Sequence, residues 1–201
     1  MHLNTDLTGL FGITLAIFSL LVRVPRIQAF PVRRRAAVLA AAIVLVTIPL
    51  WGLSLSGFVR GITGDLSITT LALLALALTR SLSGYVWVGD TNRLRMLRAI
   101  AIAAVVFYPL ALGFTEFDPY RLGYGNLWFI VFLLGLAVWS GLRYSAFFTL
   151  CLALAVAAWS AGWNESPNLW DYLLDPWLAI YAIVVQAKYW WAQRRKINGH
   201  L

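Results

Sequence analysis

The sequence predicts an all-α protein: a polytopic membrane bundle of about seven transmembrane helices, with the N-terminus outside and the C-terminus in the cytoplasm. Three observations carry that expectation. The 201-residue chain is 61% hydrophobic and only 12% charged, against about 25% charged residues in ordinary soluble domains. Its apolar residues fall in runs of near-span length, separated by short polar connectors. Its basic residues gather on alternate connectors, which is the pattern of an oriented membrane protein. At about 20 residues per span the length accommodates one membrane domain, residues 1–201, and no soluble one.

The first apolar run, Leu7–Val22, follows MHLNTD directly, with Thr5 or Asp6 placed to cap it. With no basic region before it and no small-residue cleavage site after it, it reads as a retained span and not a signal peptide. RVPRIQAFPVRRR follows, and its prolines 25 and 31 oppose a continuous helix. The second span is Ala36–Leu55, with Pro49 expected to kink it, and Ser56–Gly64 is a loop.

The third span is expected from a cap at Asp65 to about Arg80, or to Val88 if SLSGYVWV continues it. GDTNRLRMLR reads as a basic loop. The fourth span is Arg98–Phe114 with Pro109 inside it, and TEFDPYRLGYGN is its outer loop. Leu127–Leu142, Ala146–Trp163 and Pro176–Ala192 complete the set, with a tight turn at Arg143, the loop NESPNLWDYLLD, and the tail QRRKINGHL. Asp65, Asn126 and Asp175 each precede an inward-running span. Short acceptors there satisfy orphan N–H groups, and Pro176 suits a first helical position.

This arrangement puts Arg23, Arg26, Arg33, Arg34, Arg35, Arg93, Arg95, Arg98, Arg143, Arg194, Arg195 and Lys196 on the inner side. Only Arg60 and Arg121 are outside, while every acid except Asp90 is outside. The +8 formal charge is therefore an orientation signal and implies no nucleic-acid partner. Arg80 and Lys188 lie near the inner boundary, where long side chains reach the headgroups. Trp163, Trp170 and Trp177 are expected as outer interfacial anchors, and Tyr189, Trp190 and Trp191 as inner ones. The location implied is the cell inner (plasma) membrane.

The chemistry is sparse. The single cysteine, Cys151, sits in an apolar run and offers no disulfide or metal site. His2 and His200 lack partners at ligand spacing, so no metal and no cofactor is expected. No acid lies within a span, which argues against a carboxylate proton relay and an ion-coupled transporter. Pro49 with Arg60 and Pro109 with Arg121 suggest a weak duplicated hairpin. The alanines at 36, 37, 40, 41 and 42, and those at 153, 155, 157, 158 and 161, form small-residue faces for close helix packing within the bundle or against another subunit.

Two readings of the outer charges compete. In one, Arg60, Glu116, Asp118, Arg121, Glu165 and Asp171 form a salt-bridge lattice that pins the loops. In the other, Arg60 and Arg121 bind an anionic headgroup or lipid-linked phosphate, since guanidinium presents paired donors to phosphate oxygens. Asp65, Glu116 and Asp118 are then the candidate catalytic acids or bases.

In size, span number and outside N-terminus the chain is similar to the small membrane glycerol-phosphate acyltransferases. The Gly-rich, Ser- and His-containing inner motifs of that family are missing from these Arg-rich inner connectors, so the topology alone implies no activity. The function expected is a non-catalytic subunit or accessory factor of a larger envelope complex, with membrane lipid and another membrane protein as partners. The alternative is an enzyme or carrier for a lipid headgroup at the outer leaflet.

Overall fold

The computed structural model describes residues 2–49, 52–114, 116–143 and 146–198. Every helix or strand among them is helical: α1 (His2–Leu21), α2 (Pro25–Gln28), α3 (Val32–Thr47), α4 (Leu55–Thr63), α5 (Ile68–Ser83), α6 (Asp90–Ala111), a 3-10 helix (Pro119–Gly123), α7 (Leu127–Arg143), α8 (Ala146–Ser160), α9 (Trp170–Leu173) and α10 (Pro176–Asn198). The expected all-α class holds. By length and composition, one described helix, Asp90–Ala111, is long and apolar enough to cross a membrane; α5, α7, α8 and residues 6–21 are shorter apolar helices.

Several boundaries differ from the sequence expectation, each for a local reason. α1 already runs through Thr5 and Asp6, so neither sits at its start. α3 begins at the arginine cluster and stops at Thr47. Ile48 is extended (φ −65°, ψ 125°) because it precedes Pro49, whose ring excludes the helical conformation from the residue before it. Pro49 therefore ends a helix, whereas Pro109 lies inside α6, and the suggested duplication loses its equivalence. The stretch expected as loop Ser56–Gly64 is mostly α4, started by Ser54, whose Oγ accepts the Gly57 N–H at 3.1 Å.

α5, expected as the third span, is capped by Ser67, not Asp65: the Ser67 Oγ accepts the Thr70 N–H at 3.2 Å. It ends at Gly84, whose φ of 72° closes the last turn in the left-handed region. The presumed basic loop GDTNRLRMLR is largely the first turns of α6. Its Leu, Arg and Met residues are good helix formers and nothing breaks them. Asp175 and Asn126 do cap as expected, accepting the Leu178 and Phe129 N–H groups at 2.8 and 3.2 Å. α10 continues through Asn198, past the expected end at Ala192. His200 and the connection at 144–145 lie outside the described residues.

α6 packs along α10, α7 along α8, and α1 along α5. Buried alanines serve the first two pairs: Ala101 and Ala104 on α6, Ala179 and Ala182 on α10, Ala137 on α7 and Ala155 on α8. α1 and α5 run parallel, since Gly9 lies against Asp65 and Gly12 against Leu71. α6 and α10 run antiparallel, with the Gln186 Nε2 donating to the Leu94 carbonyl at 3.0 Å. Trp170 is not a surface anchor. It stacks between Phe107 and Phe129 (4.3 and 4.6 Å between centroids) and donates to the Pro119 carbonyl at 3.0 Å.

α3 packs mainly on α1 and α4, and Ala36, Ala37, Ala40 and Ala41 face outward. Elsewhere Ile102, Val105, Phe132, Leu134 and Val138 are each more than half exposed.

Candidate functional site

The acidic groups gather at one end of the bundle around Arg60. α4 puts Arg60 in its last turn, and Gly64 (φ 72°) turns the chain so that Asp65 folds back beneath the guanidinium. The Arg60 Nε donates to Asp65 Oδ1 at 2.7 Å and Nη2 to Asp65 Oδ2 at 3.3 Å, a forked pair. Nη1 reaches Asp6 Oδ1 at 2.9 Å and Nη2 reaches Glu165 Oε1 at 2.7 Å. Asp65 also accepts the Glu165 backbone N–H at 3.2 Å. One arginine thus ties α1, α4, the start of α5 and the 165 loop together.

Gly9 makes this possible: a Cβ there would overlap both the Arg60 Nε and Asp65 Oδ1. The side chains of Arg60 and Asp65 are each 13% exposed, while Asp6 and Glu165 are mostly open to solvent. The Asp65 hydrogen bond raises the Arg60 pKa well above its ordinary value, against the opposing effect of burial, with Asp6 and Glu165 acting in the same direction as Asp65.

A second knot lies at Asp175, which is 4% exposed. Its Oδ2 accepts the Ser67 N–H at 2.9 Å, the Ser67 hydroxyl at 2.7 Å and the Thr70 hydroxyl, while Oδ1 caps α10. Donors at the starts of two helices stabilise this buried carboxylate, where the dipoles favour negative charge. A third knot joins the 3-10 helix to α9. Asp171 Oδ2 accepts the Tyr120 hydroxyl at 2.8 Å and the Ser166 hydroxyl. Asn168 donates to the Tyr120 carbonyl at 2.9 Å and lies where a Cβ on Gly123 would be. Burial first, then the bond to Asp171, push the Tyr120 phenol above its usual range.

Between these knots is a cavity of about 470 Å³ whose lining includes Asp65, Tyr108, Tyr120, Glu165, Asp171 and Asp175. Of the residues expected to act, the structure joins Arg60 with Asp65. Arg121 and Glu116 are exposed on the 114–126 connection, and the Asp118 carboxylate is occupied in accepting the Tyr120 N–H at 2.9 Å. The sequence reading missed Asp6 as an Arg60 partner, Gly9 as the slot, and Ser67 and Thr70 as partners of Asp175. No spacing rule links those positions, which lie 54 to 108 residues apart across the ion pair and hydrogen bonds.

The opposite end is basic and less tightly paired. Arg80 meets Asp90 at 3.0 Å, which gives the one acid among the basic connectors its partner. The Arg93 Nε is buried with no hydrogen-bond partner among the described residues. Among the described residues no group of acids, histidines or cysteines has the arrangement of a metal site. Comparison with protein-family models, with curated proteins and with solved structures finds no match to this chain.

Proposed function

We propose that the chain is a multi-pass protein of the cell inner membrane, serving as a non-catalytic subunit or accessory factor of a larger envelope complex. Its spans are α1, α3, α5, α6, α7, α8 and α10, with the acidic end outside and the C-terminus in the cytoplasm. Supporting the orientation, the two ends of the bundle carry opposite charge in the sense the positive-inside rule requires. Spans as short as the 15-residue α8 rise about 22 Å, less than the ~30 Å hydrocarbon core, and rely on local thinning or on longer neighbours.

The observation that carries the non-catalytic role is the state of the outer charges. Arg60 is held by three carboxylates, Asp65 is held twice over, and Asp171 and Asp175 are occupied by hydroxyl and amide donors. That is a lattice that locks loops, and among the described residues none of these acids faces a base across a reacting position. The outward alanine face of α3 suits close approach by a helix of another subunit.

The test is purification at native expression level in mild detergent. A stoichiometric membrane partner is expected, and a lone monodisperse chain would overturn the proposal. Cysteine labelling tests the orientation separately: residues 34 and 118 are expected in different compartments, and labelling of both from one side would overturn the span assignment.

A second reading rests on one observation, the 470 Å³ cavity with Asp65 in its wall. It is a carrier or enzyme for a lipid headgroup or lipid-linked phosphate at the outer leaflet, using Arg60, Arg121, Asp65, Glu116 and Asp118. The carboxylate-rich lining favours headgroup hydroxyls or amines over a bare phosphate. Arg121→Gln, which leaves the Arg60 lattice intact, is expected to abolish such an activity while preserving expression; full activity in that variant would dispose of it.

A further inference from the structure

Between α1, α5, α6 and α10 runs a second cavity of about 410 Å³, walled by apolar side chains including Ile17, Leu20, Leu73, Ala77, Leu97 and Tyr181. Its wall along α5 extends from Thr70 to Arg80, about 15 Å of helix rise, which is the depth of one leaflet of a ~30 Å hydrocarbon core. The chemistry of its two ends differs. Thr63 and Trp177 stand toward the acidic end, while Arg23, Arg80 and Arg93 from three different elements line the other.

Of these three, Arg80 is paired with the carboxylate of Asp90 at 3.0 Å. The Arg93 Nε is buried and has no hydrogen-bond partner among the described residues. A buried donor left open costs stability unless something outside the chain satisfies it. Arg80 sits just before the helix-ending Gly84, and Trp87 in the following connection also lines this end. An indole at that level is where interfacial aromatics lie.

We propose that this groove binds an acidic glycerophospholipid of the inner leaflet. One acyl chain lies along α5, and the phosphodiester sits among Arg23, Arg80 and Arg93. Arginine suits this task because its fork meets two phosphate oxygens at once. A single leaflet-length chain suits the volume and depth, whereas a long prenyl carrier would run past the apolar wall. The site is at the opposite end from the Arg60 lattice. It rests on the reading of the chain as a membrane protein, but not on the existence of a partner subunit.

The test uses the full chain in maltoside micelles, delipidated, with thermal stability and native mass spectrometry as readouts. Dioleoyl phosphatidylglycerol is expected to bind about tenfold more tightly than dioleoyl phosphatidylcholine. Arg23→Gln with Arg93→Gln is expected to remove that preference, and Arg23→Lys with Arg93→Lys to keep most of it, which controls for folding. Ala77→Trp is expected to fill the groove and weaken both lipids with the charges untouched.

Undiminished selectivity in the double Gln variant would overturn the site. So would a thermal shift reproduced by inorganic phosphate alone, or a higher affinity for a polyprenyl phosphate. Alkaline carbonate extraction reads the underlying assignment separately. A chain released by carbonate ends both proposals, while a carbonate-resistant chain that ignores phosphatidylglycerol ends only this one.

Discussion

Arg60 and Arg93 are the same residue type at opposite ends of one bundle, and their surroundings are reversed. Arg60 has Asp6, Asp65 and Glu165 around its guanidinium. Arg93 has a buried Nε with no hydrogen-bond partner among the described residues and shares a groove mouth with two more cations. A saturated arginine is structural, because its charge is spent on holding chain segments in place. An unsaturated one is poised for a ligand, since its stabilisation waits on something the chain does not supply. The difference assigns stability to the acidic end and binding to the basic end, and each prediction below tests that division.

The largest effect is expected from Arg60→Met. It leaves Asp65 nearly buried without a counter-charge, and breaking such a pair by removing one partner costs about 3 kcal/mol. The readout is thermal unfolding in detergent. Combining it with Asp65→Leu should recover part of the loss, because the uncompensated carboxylate is then gone. A variant as stable as the parent would show that the lattice holds nothing.

Asp175→Ala comes next, at about 2 kcal/mol. It removes the α10 cap and orphans the Ser67 amide at the start of α5 in one step. Hydrogen exchange should rise first at residues 67–70 and 177–179, and protection unchanged there would contradict the double-cap reading. Gly9→Ala follows at about 1.5 kcal/mol, the cost of forcing a methyl into a filled space. Its loss should be non-additive with that of Arg60→Met, since the methyl acts by displacing the same guanidinium. Simple additivity would mean that α1 is merely crowded there.

How far this division could be read from the sequence depends on the range of the interaction. Local chemistry was legible. Asn126 and Asp175 were recognisable as caps, and Pro25 and Pro31 as breaks, because capping and proline geometry act over three or four residues. The charge asymmetry between connectors was legible too, since it needs only the order of the runs. Boundaries failed where two local signals competed. Asp65 looked like a cap, but Ser67 stood two residues closer to the helix and left Asp65 free for Arg60. GDTNRLRMLR looked like a loop because it is charged, yet its propensity is helical, and its charges ride on the first turns of α6.

The lattice was half legible. Charges of opposite sign on outer connectors were expected to meet, but which acid met Arg60 was decided by Gly9, fifty-one positions away in the chain and silent in any pattern. Trp170 carried the composition of an interfacial anchor, and only the packing of Phe107 and Phe129 identifies it as core. The groove was not legible at all, because its wall is drawn from α1, α5, α6 and α10 and depends on how they pack.

The smallest expected effect has the opposite sign and bears most directly on the comparison. Arg93→Met removes a buried nitrogen that has no partner and puts a flexible apolar side chain of similar reach into an apolar wall. Leaving a donor unsatisfied carries a desolvation cost, which the substitution relieves. Lipid-depleted protein should therefore be more stable as Arg93→Met than as the parent, by about 0.5 kcal/mol. Adding phosphatidylglycerol should reverse the order, because the parent gains more from binding. A destabilised Arg93→Met in the lipid-free state would mean that this arginine is already satisfied by the fold, as Arg60 is, and the contrast between the two ends would collapse.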